Sequence, residues 1–378
     1  MIEKTSPEKS INNSEKLIYS KSLQKQGNNT PFEVSITAHF KDAVEYDIKP
    51  VHWLFTGFLA LSKLHILAGR PGTGKTTIAM KFAASTTTGT GWPDESNSEP
   101  GRVVIWSGED SPDDTLIPRL IQADADIKLI SFVHSVTDAT CGRREFDPAT
   151  DMAALYRGIV RIGDVKLLII DPIVSAVMGD DHKNAIVRRS LQPIADLATA
   201  SGIAVLGISH FTKGSSSHGK YPVDRVMGSA AYGAAARIVL IASKDENGGH
   251  VFCRAKSNIG ADDGGYEYNL IQRPLTDHQE IIASYVQWGD AISGNATDIL
   301  AEAEGTDSGD GKLNEAKEFL VSILANGQAV TASEVKERAA EIGISERTLR
   351  RARKALQIHV AYKGFSKDRR SYWTLSAP

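Results

Sequence analysis

The sequence is poor in cysteine, in net charge and in long apolar runs, and each shortage narrows the class of protein. Its 378 residues include two cysteines, Cys141 and Cys253, which lie far apart and form no CxxC pair. This spacing argues against a disulfide framework and against a cysteine zinc site, and it suits a reducing cytoplasm. Residues 1–32 are rich in Ser, Lys and Asn and lack the apolar stretch of a secretory signal.

The charge and hydropathy of the chain indicate a globular protein without a membrane span. The formal net charge is −3 at pH 7, so any nucleic-acid surface must be local. Apolar runs such as residues 167–170 are far shorter than the roughly 20 residues of a membrane helix. Hydrophobic residues make up 41% of the sequence, enough for a sizeable core. We expect a cytoplasmic protein that does not enter a membrane.

The chain divides into four predicted zones. Residues 1–32 are predicted to be a flexible leader, and residues 33–288 alternate short β-branched apolar runs with amphipathic stretches. That alternation is typical of an α/β fold with a parallel sheet and crossover helices. Residues 289–312, rich in Gly, Ser, Asp, Glu and Ala, are predicted to form a mobile linker. Residues 313–378 are predicted to form a small separate domain.

The most specific motif is a complete GxxxxGK[ST] sequence between a predicted strand, residues 64–68, and a predicted helix, residues 77–85. Its glycines let consecutive backbone N–H groups and the helix N-terminus face the phosphates of a nucleotide. Lys75 is expected to reach the β and γ phosphates and Thr76 to bind Mg²⁺. The predicted ATP-binding residues are Gly69, Arg70, Pro71, Gly72, Thr73, Gly74, Lys75, Thr76 and Thr77.

A second predicted strand, residues 102–106, is followed by Ser107, Gly108, Glu109 and Asp110. Open α/β sheets bind their ligands at the carboxyl ends of their strands. Glu109 is therefore predicted to polarise the attacking water as general base, with Asp110 as the weaker candidate. The alternative is that both acids cap the helix that follows them.

A third strand, residues 165–170, ends in Asp171 and has the form of a Walker B motif. An acid at this strand end is positioned to hold Mg²⁺ through its water shell. Such a run is common by itself and is also compatible with a plain buried strand capped by Asp. Its pairing with the upstream phosphate loop predicts a metal site made by Thr76 and Asp171.

A fourth strand, residues 203–208, leads to His210 and then to a loop, residues 213–221, rich in Gly, Ser, His and Lys. A polar residue at the end of a strand next to the Walker B strand can sense the γ phosphate by hydrogen bonding. His210 is our sensor candidate, although a lone histidine is often only structural. The loop resembles those with which channels grip a substrate.

The last zone carries a concentrated positive charge. Residues 313–326, 332–342 and 345–356 are predicted helices, and two short strands flank residues 363–370. Between Ser345 and Arg370 there are nine Lys or Arg residues against two acids. This order of elements predicts a winged helix-turn-helix, whose basic helix enters the major groove of DNA.

The predicted DNA-binding residues lie on the basic helix and in the hairpin. Thr348 and Arg351 are candidates for base edges, and the others for phosphates, although spacing alone does not assign them. A basic face on a small assembly domain is the alternative. The predicted residues are Arg347, Thr348, Arg350, Arg351, Lys354, Lys367 and Arg369.

Taken in order, these parts resemble RecA-like ATPases of the hexameric helicase group, most closely plasmid RepA-type and related phage or mobile-element replication ATPases. The resemblance covers roughly residues 48 to 270. It rests on His52, Trp53, Leu54, Gly57, residues 69–76, 107–110 and 167–171, His210 with Lys213, residues 228–230 running to Arg237, and residues 256–258.

The resemblance implies a RecA-like P-loop core joined to a winged-helix domain, and it implies roles for single residues. Lys75, Glu109, His210 and Arg237 match the catalytic positions, with Arg237 reaching across a subunit interface toward the neighbour's γ phosphate. Rival trans-acting cations are Arg225, Arg254 and Lys256, and each candidate is otherwise a surface ion-pair partner. Ser209 stands where many relatives carry a second histidine.

Two classes of function follow. The first is a homo-oligomeric ATPase, a hexamer by resemblance, that uses ATP and Mg²⁺ to move on or unwind DNA during replication of a plasmid, phage or integrated element. Single-stranded DNA would pass through its ring and duplex DNA would bind its tail. The second is a non-unwinding ATP switch that acts as a loader, initiator or regulator on DNA. A small-molecule kinase is disfavoured because no acceptor pocket or lid is evident.

Overall fold

The computed structural model describes residues 39–138, 140, 142–211, 222–225, 230–244, 249–303, 310–325, 327, 329–344, 346–363 and 370–375. The chain divides into two compact units, residues 1–50 and 51–378. In the first unit, the described residues contain a 3₁₀ turn at Ala43–Glu45. The predicted leader, residues 1–32, lies outside the described residues.

The second unit contains all of the remaining elements. Its strands are β1 (Trp53–Phe55), β2 (Leu59–Ala60), β3 (Leu64–Gly69), β4 (Arg102–Ser107), β5 (Ile130–Phe132), β6 (Ser135–Asp138), β7 (Gly142–Glu145), β8 (Val165–Asp171), β9 (Ala204–His210), β10 (Ile238–Lys244), β11 (His250–Ser257), β12 (Asp263–Pro274), β13 (Ile282–Asn295), β14 (Val330–Thr331), β15 (His359–Lys363) and β16 (Arg370–Thr374). Its helices are α1 (Lys75–Thr88), α2 (Ile117–Gln122), α3 (Met152–Ile162), α4 (Asn184–Ser201), α5 (Ala230–Ala235), α6 (Ala296–Ala303), α7 (Asp310–Leu324), α8 (Ala332–Glu341) and α9 (Glu346–Ala355).

Among the described residues, nine strands form one sheet in the order β13-β12-β11-β10-β3-β9-β8-β4-β5. The six strands from β10 to β5 run parallel, as the alternation of strands and helices predicts. The other three strands are antiparallel, which differs from the prediction of an all-parallel sheet. Only a short connection separates Lys244 from His250, and a connection of that length can join only antiparallel strands.

Both faces of the sheet are covered, because the central strands are apolar on each side. Ile66 and Leu168 belong to one core cluster and Leu67 and Leu167 to the other. Helices α3, α4, α5 and α6 pack on the first face, and α1 and α2 pack on the second. Strands that are buried on both faces read as continuous apolar runs, which is the pattern that the sequence shows at β8.

Residues 289–303 do not form the predicted mobile linker. Residues 289–295 continue β13, which pairs with β12, and α6 begins directly afterwards. Ile292, Ile299 and Leu300 are buried in the core, and this burial holds the segment to the sheet. Small residues between these apolar positions conceal the pattern in the sequence. Residues 304–309 of the predicted linker are outside the described residues, and its last residues, 310–312, form the start of α7 instead.

The carboxyl-terminal part of the unit has its own core. Helices α7, α8 and α9 coincide closely with the three predicted helices, and β14, β16 and β15 form a small antiparallel sheet in that order. Leu320, Val335, Leu349 and Trp373 are buried together between the helices and the sheet. Helix α8 begins after Thr331, whose hydroxyl accepts a hydrogen bond from the amide of Glu334 at 3.3 Å.

Candidate functional site

The GxxxxGK[ST] motif forms the strand–loop–helix that the sequence predicts. Strand β3 ends at Gly69, and α1 begins at Lys75. Gly72 and Gly74 have φ angles of 80° and 75°, a conformation that favours glycine. A Cβ atom on Gly69 would lie 2.3 Å from the carbonyl oxygen of Ala242, so the loop also needs glycine for close packing. The loop therefore presents backbone amides and a helix N-terminus to the carboxyl edge of the sheet.

The side chains of the loop are turned in two directions. Arg70, Pro71 and Gly72 are exposed, whereas Thr73 and Lys75 are buried. The Lys75 ammonium donates a hydrogen bond to the Arg70 carbonyl at 3.2 Å, and the Thr73 hydroxyl donates to the same carbonyl at 2.9 Å. Burial lowers the pKa of Lys75, and the charges of nearby carboxylates oppose that shift.

Thr76 and Asp171 meet where the loop faces the end of β8. The Thr76 hydroxyl donates a hydrogen bond to Asp171 Oδ2 at 2.7 Å. Burial raises the pKa of Asp171 to about 6, and the hydrogen bond from Thr76 acts in the opposite direction. A buried carboxylate of this kind is stabilised by a cation. The predicted metal residues are thus brought together, although they lie 95 positions apart in sequence.

A hydroxyl beside a carboxylate fits Mg²⁺ in a nucleotide site. This ion commonly takes one or two protein oxygens and completes its shell with water and substrate phosphates. Among the described residues, no group of three or more His, Cys, Asp or Glu side chains is arranged to hold a metal ion. Thr76 and Asp171 therefore fit a cation that shares its ligands with a bound phosphate.

Glu109 and Asp110 follow β4 and have different surroundings. Asp110 forms an ion pair with Arg119 at 2.8 Å, whereas Glu109 Oε1 lies 3.6 Å from His210 Nε2. The helical turn after them begins at Pro112 with Ser111 at its N-cap position, so the capping alternative does not describe Glu109. The amide of Gly108 donates to the Asp171 carbonyl at 2.8 Å, which holds the ends of β4 and β8 side by side.

His210 ends β9, the strand that lies between the phosphate-loop strand and the Walker B strand. Its register partner is Gly69, the last residue of β3. The predicted position next to the Walker B strand is confirmed by the pairing of β8 with β9. His210 Nδ1 is buried and finds no hydrogen-bond partner among the described residues. The predicted loop of residues 213–221 lies outside them.

Arg237 lies near the amino ends of the parallel strands, whereas the phosphate loop lies at their carboxyl ends. It precedes Ile238, which pairs with His65 near the start of β3, whereas Gly69 is at the other end of that strand. At 3.3 Å per residue the separation along β3 is about 13 Å. Arg237 is exposed and lines a groove of about 310 Å³ together with Lys63 and Arg188.

The rival cations have structural contacts. The Arg254 guanidinium lies 4.4 Å from the centre of the Phe58 ring and donates to the carbonyl oxygens of Gly57 and Asp263. The Lys256 ammonium donates to the carbonyl oxygens of Gly233 and Ala236 at the end of α5. Arg225 lies in the 3₁₀ turn Pro222–Arg225, between stretches that are outside the described residues.

Two residues of β12 contact the phosphate loop and were missed from the sequence. The Tyr268 hydroxyl donates a hydrogen bond to the Thr73 carbonyl at 2.5 Å, and burial raises the pKa of Tyr268. A Cβ atom on Gly74 would lie 2.6 Å from the Leu270 side chain. Thr77 also approaches the antiparallel ribbon formed by β12 and β13, with 3.4 Å between its hydroxyl and that of Ser284 on β13. No local signal predicts these contacts, because β12 is remote in sequence.

The basic helix α9 faces the sheet rather than open solvent. Arg353, which lies outside the predicted set, forms ion pairs with Glu267 at 2.8 Å and with Asp290 at 2.5 Å. Arg350 and Lys354, which were predicted to contact phosphates, also approach Glu267, at 3.9 and 3.7 Å. These cations are turned toward the protein itself, where the carboxylates of Glu267 and Asp290 on β12 and β13 face α9.

The other predicted DNA-binding residues are distributed differently. Thr348 and Arg351 lie on α9 and are partly exposed. The side chain of Arg347 and the hairpin residues Lys367 and Arg369 are outside the described part of the chain.

Comparison with known proteins supports the assignment of the core to the P-loop ATPases. Residues 31–216 match a family model described as an AAA domain. No curated protein matches the sequence. Among solved structures, the chain is similar to the RadB recombinase, with a TM-score of 0.40 and 15% identity over 60% of this chain and 91% of that one.

The AAA-domain match over residues 31–216, the six parallel strands and the phosphate loop support a P-loop ATPase core, and the large, mostly parallel sheet fits a RecA-like arrangement. No helix in the described part of the chain has both the length and the apolar character needed to cross a membrane.

Proposed function

We propose that this protein is a Mg²⁺-dependent ATPase that works on DNA as a motor, in the manner of a hexameric helicase or a replication-initiation ATPase of a plasmid, phage or integrated element. One observation carries the ATPase part of the proposal. Lys75, Thr76, Glu109, Asp171 and His210 meet at one edge of the sheet, at the carboxyl ends of adjacent parallel strands. Open α/β sheets bind their ligands at this edge.

ATP binding uses the phosphate loop. The backbone amides of the loop and the first turn of α1 receive the phosphate oxygens. Lys75 leaves the Arg70 carbonyl to contact the β and γ phosphates. Thr76 and Asp171 would hold Mg²⁺, which would supply positive charge that offsets the negative charge of the phosphates.

Hydrolysis requires a water molecule in line with the γ phosphate. Glu109 orients this water and accepts its proton while the bond from the water oxygen to phosphorus forms and the bond to the β–γ bridging oxygen breaks. His210 Nε2, now 3.6 Å from Glu109, contacts the γ phosphate and reports its presence to the segment that follows β9. Asp110 has no part in this step because Arg119 holds it.

The position of Arg237 supports hydrolysis in trans. A residue at the amino edge of the sheet is too far from its own phosphate loop to contact the same nucleotide. In a head-to-tail ring two different surfaces meet at each interface, so the side that carries Arg237 can face the phosphate loop of a neighbouring copy. Arg237 then stabilises the charge that develops on the neighbour's γ phosphate, and ATP hydrolysis depends on assembly.

The tail supplies the duplex contact. We interpret α7, α8, α9 and the β15–β16 hairpin as a winged helix-turn-helix, with α9 as the helix that enters the major groove. Arg351 and Thr348 are the proposed base-edge contacts on this helix. Single-stranded DNA passes through the ring.

One observation favours a second function, a DNA-bound ATP switch that loads or initiates without unwinding. In this structure α9 is held against the ATPase core by Glu267 and Asp290. A motor that tracks DNA continuously has no need for such a contact, whereas a switch uses it to set when DNA is bound.

The two functions separate in one experiment. ATP hydrolysis and displacement of a forked duplex are measured on the wild-type protein, Lys75→Ala and Glu109→Gln, with and without single-stranded DNA. The motor predicts hydrolysis stimulated by single strands and displacement by the wild type alone. ATP hydrolysis with duplex binding but without displacement by any of the three proteins would replace the motor with the switch.

A further inference from the structure

We propose that Glu267 and Asp290 form an acidic docking surface that holds the basic face of α9 and competes with nucleic-acid phosphates for it. The docking surface is defined by these two residues, one on β12 and one on β13. The inference rests on the proposed DNA contact of the tail, and it adds a closed state in which that contact is blocked.

The first step is the chemistry of the contact. The guanidinium of Arg353 donates one hydrogen bond to Asp290 Oδ2 at 2.5 Å and another to Glu267 Oε2 at 2.8 Å. Arg350 and Lys354 approach the other oxygen of Glu267 from the same face of the helix. Three cations of α9 thus converge on two carboxylates. A nucleic acid presents the same chemistry to a basic helix, as anionic oxygens that accept charge-assisted hydrogen bonds.

The second step is burial. The side chains of Arg353 and Glu267 are 9% and 14% exposed, and the Arg353 guanidinium lies 5.0 Å from the centre of the Trp373 ring. Arg353 is therefore enclosed between the sheet and its own domain. A phosphate group cannot reach Arg353 or the inward face of Arg350 and Lys354 while the acids occupy it.

The third step is that α9 can separate from the two acids while both cores stay folded. The contact is made by charged groups, whereas the apolar cores on its two sides are distinct clusters. A cleft of about 230 Å³ runs along it, lined by Asp290, Lys336, Glu346 and Arg350. Contacts between domains that are made by polar groups open more readily than apolar ones. The basic face of α9 can then be released without unfolding either core.

Competition lowers the apparent affinity of the tail for DNA by the fraction of molecules that are open. The direct test replaces both acids by their amides in the full chain, Glu267→Gln with Asp290→Asn. Amides keep hydrogen-bond acceptors near Arg353 but remove the charge. We expect duplex DNA, measured by fluorescence anisotropy at fixed salt, to bind about tenfold tighter or more. The dependence of affinity on salt should also steepen, because more cations then meet phosphates.

The matched control is Asp277→Asn with Glu280→Gln. These acids lie in the exposed turn between β12 and β13, and their replacement changes the net charge of the same ribbon by the same amount. We expect this control to bind DNA like the wild type. If it binds as tightly as the Glu267→Gln, Asp290→Asn protein, the gain reflects total charge and the docking proposal is wrong.

A second pair of changes identifies the cations. Adding Arg350→Ala and Lys354→Ala to the amide protein should remove the gain in affinity. If the amide changes have no effect while Arg350→Ala and Lys354→Ala still weaken the wild type, α9 binds DNA without a closed state, and only the docking proposal fails. If neither set changes DNA binding, the proposed DNA role of α9 fails together with it.

A measurement on the unaltered protein guards against misfolding of the variants. Hydrogen–deuterium exchange is followed in β12, β13 and α9 as duplex DNA is added. Competition predicts faster exchange in the part of the ribbon that carries Glu267 and Asp290 and slower exchange in α9. DNA that protects α9 and leaves the ribbon unchanged would overturn the proposal.

Discussion

Two polar regions of this molecule, the carboxyl edge of the parallel sheet and the basic face of α9, were both predicted from sequence to bind phosphates. At the sheet edge the predicted residues converge, with Thr76 on Asp171 and Glu109 beside His210. On α9 the predicted cations Arg350 and Lys354 meet an acid of the protein itself. The difference shows that strand topology fixes where a strand-end residue lies, whereas the partner of a helix face depends on how its domain docks.

The largest expected effect concerns Arg237. It tests whether the amino ends of the strands in one copy act with the nucleotide site at the carboxyl ends in a neighbouring copy. Arg237→Ala should lower kcat for ATP hydrolysis by about 10³-fold or more and leave ATP binding intact, as for other arginines that act in trans. Arg157→Ala, which removes an exposed arginine of α3, serves as the control and should hydrolyse ATP normally.

Mixing decides whether Arg237 acts in trans. A mixture of Arg237→Ala and Glu109→Gln proteins should recover part of the activity, because some interfaces then pair an intact arginine with an intact glutamate. No recovery on mixing would assign Arg237 to its own subunit or to a structural role.

The next effect separates the two acids after β4. Glu109→Gln should lower kcat by about 10²- to 10⁴-fold, the usual contribution of a general base. Asp110→Asn is the matched control, since it removes a neighbouring carboxylate that is bound to Arg119. We expect it to keep most of the activity. Steady-state hydrolysis at saturating ATP measures both, and an equal loss in the two proteins would contradict the assignment.

A third change concerns the buried charge at the sheet edge. The pKa of Asp171 is raised from 3.8 to about 6, so the folded state holds this proton more tightly than the unfolded state. The associated stabilisation is present below pH 4 and is lost as pH rises to about 6, a difference of about 3 kcal/mol in the free energy of unfolding. Asp171→Asn lacks this loss and should be more stable than the wild type at pH 7 without nucleotide, although it should not hydrolyse ATP.

Urea unfolding of the two proteins at pH 4 and pH 7 measures this effect. From pH 4 to pH 7 the free energy of unfolding should fall by about 2 kcal/mol more in the wild type than in the variant, because the unfolded carboxyl is already partly ionised at pH 4. Identical changes in the two proteins would show that Asp171 is already stabilised as an anion.

The smallest expected effect concerns β12, the strand that contacts both the phosphate loop and α9. Tyr268→Phe removes the hydrogen bond to the Thr73 carbonyl and should raise KM for ATP by about 2- to 10-fold, the usual value of one such bond. Tyr266→Phe, on the same strand, is the control and should leave KM unchanged. Equal KM values in the two variants would mean that the Tyr268 hydroxyl does not position the phosphate loop.

The limits of sequence-based prediction follow from these contacts. The positions of the phosphate loop, Glu109, Asp171 and His210 could be predicted because each follows or ends an apolar run that is itself a strand signal. The continuation of β13 through Ile292 and the burial of α6 were missed, because Gly, Ser and Ala dilute the apolar pattern there. Tyr268 and Glu267 were missed because their partners are distant in sequence, and only the fold brings them together.

The most direct test of the account is the rate of ATP hydrolysis by the full chain as single-stranded DNA is titrated, with Lys75→Ala beside it. We expect the wild-type rate to rise with DNA and Lys75→Ala to remain inactive at every concentration, as a DNA-associated P-loop ATPase requires. A wild-type rate that does not respond to DNA, or a Lys75→Ala protein that hydrolyses ATP equally well, would contradict it.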